Sequence, residues 1–369
     1  MGKLYDELCS FENLFWAFRA ARKGKRSLPH VVRFEYGLEQ ELFQLQDELR
    51  SGAYRPGPYR SFYRTESKRR LISAAPFRDR VVHHALVQVI EPYFERRFIF
   101  DSYANRVGKG AHKALDRSTQ FLRASRYVLP CDVRQFFPSI DHALLRNALA
   151  RVIRDEQVLG LADRILETGV GVLDEVYDTQ WFPGDDLWTA VRPRGLPIGN
   201  LTSQFWANVY LNTFDQYVKR DLKCRRYLRY VDDVLSFDDD KGRLNELRSA
   251  MIDFLAGLRL TLHEESAHIR PVEEGVTFLG FIVYPDHRRL KSKRGHVTRR
   301  RLLALARAHN DGQIEADRVT ASVMGWVAHA AHGDTYGLRR AVLSQIRLKH
   351  PIASSARFAQ LRTQPKCRA

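Results

Sequence analysis

The sequence predicts an α+β protein, and three features point there. Apolar residues recur at helical spacing in seven segments. Short apolar or alternating runs bounded by turn residues mark seven strand-like stretches. The two kinds are interleaved without the regular strand–helix–strand alternation that builds a parallel sheet. With 369 residues, 44% of them hydrophobic and 11% aromatic, the chain has material for two or three packed units and is not a disordered one.

Taken in order, helical periodicity covers residues 11–21 and 36–50. After the Gly52–Gly57 break come strand-like runs at 60–64 and 69–73, then a helical stretch at 77–96. A glycine turn at Gly108-Lys109-Gly110 precedes the apolar run 126–131, and helical spacing returns at 141–153. Turn-rich sequence at Pro183-Gly184-Asp185-Asp186 and Pro193–Gly199 leads into a helical pattern at 202–220. Strand-like runs at 226–231 and 233–237 are followed by a helix at 241–257, which Asp238-Asp239-Asp240 introduce as a solvated entry. Residues 259–262 and 276–283 read as strands and 316–331 as a helix. The last fifteen or so residues are polar, basic and weakly patterned, and are expected to fray.

The formal charge of +17, from 60 Lys+Arg against 43 Asp+Glu, calls for a polyanionic partner. Clustering strengthens this. From His287 to Asn310 there is no acidic residue, but there are Arg288, Arg289, Lys291, Lys293, Arg294, Arg299, Arg300, Arg301 and Arg307. Lys68-Arg69-Arg70, with Arg64, Arg78 and Arg80, forms a second basic region. Two such regions suggest a clamp on nucleic acid, although a solvated charged face explains any one of these residues. No apolar run approaches the roughly 18 residues of a membrane span. The four cysteines lie far apart, which disfavours a zinc site or disulfide framework and fits a reducing cytoplasm.

Three aspartates stand out. Tyr230-Val231-Asp232-Asp233 separates two apolar strands, and Asp132 closes a third, Tyr127-Val128-Leu129-Pro130-Cys131. Paired carboxylates at a hairpin tip repel each other and become favourable around a divalent cation. A strand-end aspartate beside such a pair is suited to two Mg²⁺ ions, which take few carboxylates plus substrate phosphates. Ions so held stabilise an attacking 3′-hydroxyl and a leaving pyrophosphate. Each piece alone is also an ordinary turn or strand end; their order and spacing carry the argument.

With these residues in view the chain resembles the reverse transcriptases. Asp132 with Phe137, the segment Arg194-Gly195-Leu196-Pro197-Ile198-Gly199-Asn200-Leu201-Thr202-Ser203-Gln204, and Tyr230-Val231-Asp232-Asp233 are similar to the three successive palm motifs of that family. Val276-Thr277-Phe278-Leu279-Gly280-Phe281 resembles its primer-supporting strand. Lys68–Ser73, Phe77–Leu86 and Ser102–Gly110 resemble its fingers and the block that follows. Within the family, Leu196–Gln204 looks most like the enzymes of diversity-generating retroelements, because Ile198 stands where most relatives carry Gln.

The resemblance implies a right-hand polymerase with fingers, palm and thumb and an antiparallel palm sheet. Residues 1–85 would form N-terminal helices and fingers. Residues 86–285 would form the palm, with a fingers-contributing stretch around 143–190, and 286–369 a thumb and basic tail. It implies that Asp132, Asp232, Asp233 and the Val133 backbone hold two Mg²⁺ (or Mn²⁺) ions. Lys68, Arg70, Phe137, Ile198 and Gln204 would meet the incoming dNTP, with Phe137 excluding a 2′-hydroxyl unless it merely packs. Arg288, Arg289, Lys291, Lys293, Arg294, Arg299, Arg300 and Arg301 would grip the duplex. Thr202 or Ser203 is a candidate N-cap for the helix after Gly199. Glu264 and Glu265 stand where relatives carry lysines, which leaves the general acid open between His263, His268 and neither.

The implied function is error-prone, adenine-mutagenic cDNA synthesis from a structured template-repeat RNA, with a DNA primer and dNTPs. The implied partner is a small, basic, helical, oligomeric accessory variability protein. The expected setting is the cytoplasm of a bacterium, for a bacterial or phage-encoded protein with no membrane association. An antiphage defence reverse transcriptase is the alternative with the same palm. A non-catalytic RNA-binding scaffold is the alternative that uses the basic surface alone.

Overall fold

The computed structural model describes residues 3–65 and 69–348, and its N-terminal part is built on a four-stranded antiparallel sheet. In chain order the N-terminal part contains α1 (Lys3–Leu8), α2 (Phe11–Ala21), α3 (Pro29–Tyr36), α4 (Leu38–Arg50), β1 (Arg60–Thr65), β2 (Arg69–Ala74), α5 (Phe77–Glu95) and α6 (Ala111–Arg123). There follow β3 (Tyr127–Asp132), α7 (Phe136–Ser139), α8 (His142–Ala150), α9 (Glu156–Glu167), α10 (Leu187–Ala190), α11 (Leu201–Gln216), β4 (Arg226–Tyr230), β5 (Asp233–Asp238), α12 (Lys241–Gly257) and β6 (Arg270–Pro271). The sheet order is β4-β5-β3-β6, and β1-β2 form a separate hairpin.

The central strands are buried along nearly their whole length, as Leu228 and Arg229 in β4 and Val234–Phe237 in β5 show. Successive residues face opposite sides of a sheet, so continuous burial means that both faces are covered. Phe121 of α6 meets Phe237 of β5 with ring centroids 5.5 Å apart. The long α5 buries Val81, Val82, Ala85, Leu86, Val89 and Ile90 in a core shared with α2 and α11. This core holds the ends of the sheet in place while leaving the strand tips open to carry polar chemistry.

The described residues divide into two compact units, one up to Glu274 and one from Gly275. The second contains the three-stranded sheet β7 (Val276–Phe278), β8 (Phe281–Val283) and β9 (Arg288–Leu290). It continues with α13 (Ser292–Asn310), α14 (Ala316–Ala330) and α15 (Tyr336–Leu343). Leu302, Trp326, Ala330 and Val342 make its small helical core.

The observed α+β class is the predicted one, and three local expectations need correction. Residues 259–262 do not form a strand; Arg259 turns with φ +54° and Leu262 makes only an isolated bridge to Val133. The run 276–283 is a hairpin, because Leu279 (φ 48°) and Gly280 (φ 90°) form a two-residue turn that pairs Phe278 with Phe281. The helix after Gly199 is capped by neither Thr202 nor Ser203; it begins at Leu201 with Asn200 in the cap position. The Asp238–Asp240 entry is as expected, with the Asp240 carboxylate accepting from the Gly242 and Arg243 amides. Among the described residues no helix is long and apolar enough to cross a membrane.

Candidate active site

Strand register places two of the three aspartates opposite each other and leaves the third in the adjoining turn. β3 and β5 are antiparallel with Asp132 directly opposite Asp233, and β4 pairs Tyr230 with Asp233. Directly opposed residues point to the same face, so the Asp132 and Asp233 carboxylates share one. Asp232 is the second residue of the intervening two-residue turn. All three are half-buried. Burial and then the Asp233 charge push the Tyr230 phenol above its ordinary value.

The backbone around Val133 is also turned toward this corner. Val133 bridges Leu262, with His263 N–H donating to Asp132 O (2.9 Å) and Arg134 N–H to Thr261 O (2.8 Å). In that pairing the hydrogen bonds belong to the neighbours of Val133, so its own carbonyl faces the opposite side, where β5 begins. His263 thus adjoins Asp132 through its backbone amide, whereas the His268 amide bonds to Ser266 O.

Val231, the first turn residue, adopts φ +58°. A β-branched residue there is strained, by about 1–3 kcal/mol, and persists only where its surroundings hold it. Arg229 does so. Its side chain is fully buried, as is that of Asp215. Arg229 Nε and Nη2 donate to the two Asp215 carboxylate oxygens at 2.8 and 2.7 Å. Nη1 donates to Asn208 Oδ1 (3.1 Å) and to the Val231 carbonyl (2.9 Å). Asn208 and Asp215 are seven residues apart on α11, two turns on one face. Tyr227 completes the group, its hydroxyl donating to Asp215 Oδ1 at 2.6 Å. Burial alone would lower the Arg229 guanidinium, but the Asp215 charge and hydrogen bonds hold it above its ordinary value.

A second set of contacts joins the loop 195–200 to β2. Ser73 N–H donates to Ile198 O (2.8 Å). Asn200 spends its side chain on this junction rather than on capping: Oδ1 accepts from Ala75 N–H (3.1 Å), and Nδ2 donates to Ser73 O (2.9 Å) and Pro197 O (3.0 Å). Gly199 has φ +118°, and a Cβ there would lie 3.0 Å from Ile72 Cγ2, so glycine is needed. The Phe137 backbone is tied to the same loop, since Leu196 N–H donates to its carbonyl (2.9 Å). The Phe137 ring is half-buried and packs edge-on to Phe136, 5.5 Å between centroids. Ile198 is half-buried and Gln204 exposed, while Ser203 Oγ donates to Pro197 O (2.7 Å).

Residues 60–283 match the family described as "Reverse transcriptase (RNA-dependent DNA polymerase)". The chain belongs to the reverse transcriptase family. Protein YkfC of Escherichia coli K12 is 28% identical over 286 residues, covering 66% of this chain and 71% of that protein. The group II intron-encoded protein LtrA of Lactococcus lactis subsp. cremoris is 25% identical over 183 residues. That match takes in 49% of this chain and spans only 28% of LtrA. A structure of apo telomerase from Candida tropicalis matches with a TM-score of 0.46 and 11% identity, over 66% of this chain and 59% of that one. The family carries the right-hand polymerase fold, RNA-directed DNA synthesis and a general use of divalent metals.

In this reverse transcriptase the remaining predicted site residues are dispersed. Arg70 is exposed on β2, three residues before the Ser73 junction. Lys68 lies outside the described residues, as do the side chains of Lys293 and Arg294. The other basic residues belong to the C-terminal unit. Arg288 and Arg289 are on β9, and Arg299, Arg300 and Arg301 are exposed on α13. Three consecutive helical residues fan out by about 100° each, so they do not form one stripe. Arg299 and Arg301 bond Gln345 (2.8 Å) and Ser322 (2.9 Å) within the unit. Among the described residues no three Asp, Glu, His or Cys side chains converge as a preformed metal cage. Mg²⁺ does not require one, since it keeps several waters and bonds substrate phosphates. The residues that sequence reasoning missed are Arg229, Asp215, Asn208 and Asn200. One signal was present: an arginine inside an apolar strand is rarely buried without a paired charge.

Proposed function

We propose that this reverse transcriptase makes error-prone cDNA from a structured template RNA in a diversity-generating retroelement. The observation that supports the chemistry best is the register that sets Asp132 beside Asp233 with Asp232 in the adjoining turn. In this reading Asp132, Asp232, Asp233 and the Val133 carbonyl hold two Mg²⁺ ions, with Mn²⁺ as substitute. Their oxygens are the hard donors such ions prefer. When bound, the ions supply charge stabilisation for the attacking 3′-hydroxyl and the departing pyrophosphate.

The protein's own groups orient and select. Arg70, with Lys68, meets the triphosphate; its planar fork suits phosphate oxygens. Phe137, anchored through Leu196 to the 195–200 loop, excludes a ribose 2′-hydroxyl. Gln204 lies exposed one turn further on. Residues 1–85 act as fingers with N-terminal helices, 86–285 as palm with a fingers contribution around 143–190, and 286–369 as thumb and basic tail. The RNA, a DNA primer and a small, basic, oligomeric accessory protein are the partners, in the cytoplasm of a bacterial or phage host.

Ile198 supports the error-prone reading. Its carbonyl is committed to Ser73, and its half-buried side chain offers no hydrogen bond to the nucleotide. One such bond is worth about 0.5–1.5 kcal/mol, up to roughly tenfold in discrimination. Primer extension on an RNA template with the four dNTPs tests the polymerase, and deep sequencing of the cDNA tests its fidelity. Ile198→Gln is expected to lower misincorporation opposite template adenines severalfold. An unchanged error frequency removes Ile198 from the account and leaves the antiphage defence reading equally supported.

A further inference from the structure

A cationic cavity lies in the N-terminal unit, away from the carboxylates. Its volume is about 660 Å³, and Arg96, Arg97, Gln216, Lys219, Arg220 and Phe100 are among its lining residues. Its place follows from the backbone. Ser102 pairs with Arg229 in parallel, so residues preceding Ser102 run back along β4, away from the Val231-Asp232 turn.

Two helix ends build it. Arg96 and Arg97 close α5, and Lys219 and Arg220 lie in a π-helical turn, Tyr217–Asp221, that continues α11. Cations at helix C-termini are favourable singly, because the last carbonyls carry partial negative charge. Here two such ends converge, and Arg96, Arg97 and Arg220 remain exposed. The acidic residue in the lining does not cancel them. Asp101 is already paired with Arg117 (2.8 Å) and Lys219 (3.2 Å).

Two further features suit a nucleic acid better than a simple anion. Phe100 is 69% exposed, with Lys109 Nζ 3.4 Å from its ring centroid. An exposed aromatic ring among cations is the usual platform for an unpaired base. Gln216 Nε2 donates to Arg97 O at 2.7 Å, while its buried Oε1 has no hydrogen-bond partner among the described residues. That oxygen can accept from a ribose hydroxyl or a base amine.

We infer that this cavity is a second nucleic-acid site, which grips the phosphate backbone of single-stranded RNA outside the polymerase cleft. The inference rests on the reading that the substrate is RNA. Arg96 and Arg220 are more than a hundred residues apart in sequence, and only folding brings them to one cavity.

The test uses the full chain and two RNA–DNA substrates. One is a short template–primer duplex with a single-nucleotide template overhang; the other is the same duplex with a long single-stranded RNA extension. Arg96→Gln with Arg220→Gln should leave binding and extension of the short substrate unchanged. It should weaken binding of the extended substrate about tenfold at moderate salt and lower its log–log salt slope by about one to two. Equal affinity of variant and parent for the extended substrate overturns the second site. So does equal weakening of both substrates, which would make these arginines part of the cleft or of the fold. Primer extension of the short substrate, read in the same experiment, reports separately on the polymerase reading.

Discussion

Asp232→Asn is expected to abolish nucleotide incorporation while leaving RNA binding intact. The substitution keeps shape and removes one negative charge from the turn beside Asp132 and Asp233. Charge stabilisation of several kcal/mol is at stake, so extension should fall by about three orders of magnitude or more. Stability should change little, because Asp232 is half-exposed and relief of like-charge repulsion is offset by the lost attraction to Arg229. Primer extension, filter binding and a thermal melt together separate the outcomes. Retained extension with intact binding would overturn the site assignment. Asp239→Asn is the control, since Asp239 pairs with Arg226 (3.1 Å) at the far end of β5.

The second large effect concerns Arg229. Arg229→Met leaves Asp215 charged and buried without its counter-ion, which costs about 3–5 kcal/mol and lowers the melting temperature. Adding Asp215→Leu and Tyr227→Phe removes the stranded carboxylate and hydroxyl, and most of the stability should return. Activity should not return with it. The Arg229 bond to the Val231 carbonyl is gone, and neither core packing of Val231 nor the Tyr230–Asp233 pairing replaces that hydrogen bond at the φ +58° turn next to Asp232. A displacement of the order of 1 Å at reacting groups costs about a hundredfold in rate. The triple variant should therefore show a kcat depressed by about ten- to a hundredfold with KM little changed. Recovery of kcat along with stability would show that Arg229 serves the fold alone.

Much of the fold was legible because its signals are local. Residues 11–21 and 241–257 carry helical spacing, with Ser10 and Asp240 as side-chain caps, and those helices have the expected bounds. Other elements were hidden for identifiable reasons. The apolar face of α6 includes Ser118 and Thr119, which bond Leu115 O within the helix and so bury without looking apolar. In α13 the core contact rests on Leu302 and Ala306 among many arginines. The turn at Leu279-Gly280 was masked by the apolar residues on both sides of it.

The sequence by itself determined the chemistry available to this protein: three aspartates in order, a surplus of 17 positive charges, and an isoleucine in the 195–200 loop. These are properties of covalent order and survive any rearrangement of the chain. The tertiary structure decided which groups meet. Register placed Asp132 beside Asp233, packing of α11 against β4 buried Arg229 on Asp215, and two helix ends brought Arg96 and Arg97 to Lys219 and Arg220. Such meetings depend on burial and pairing between distant segments, where a one-residue shift of a strand turns a side chain to the other face.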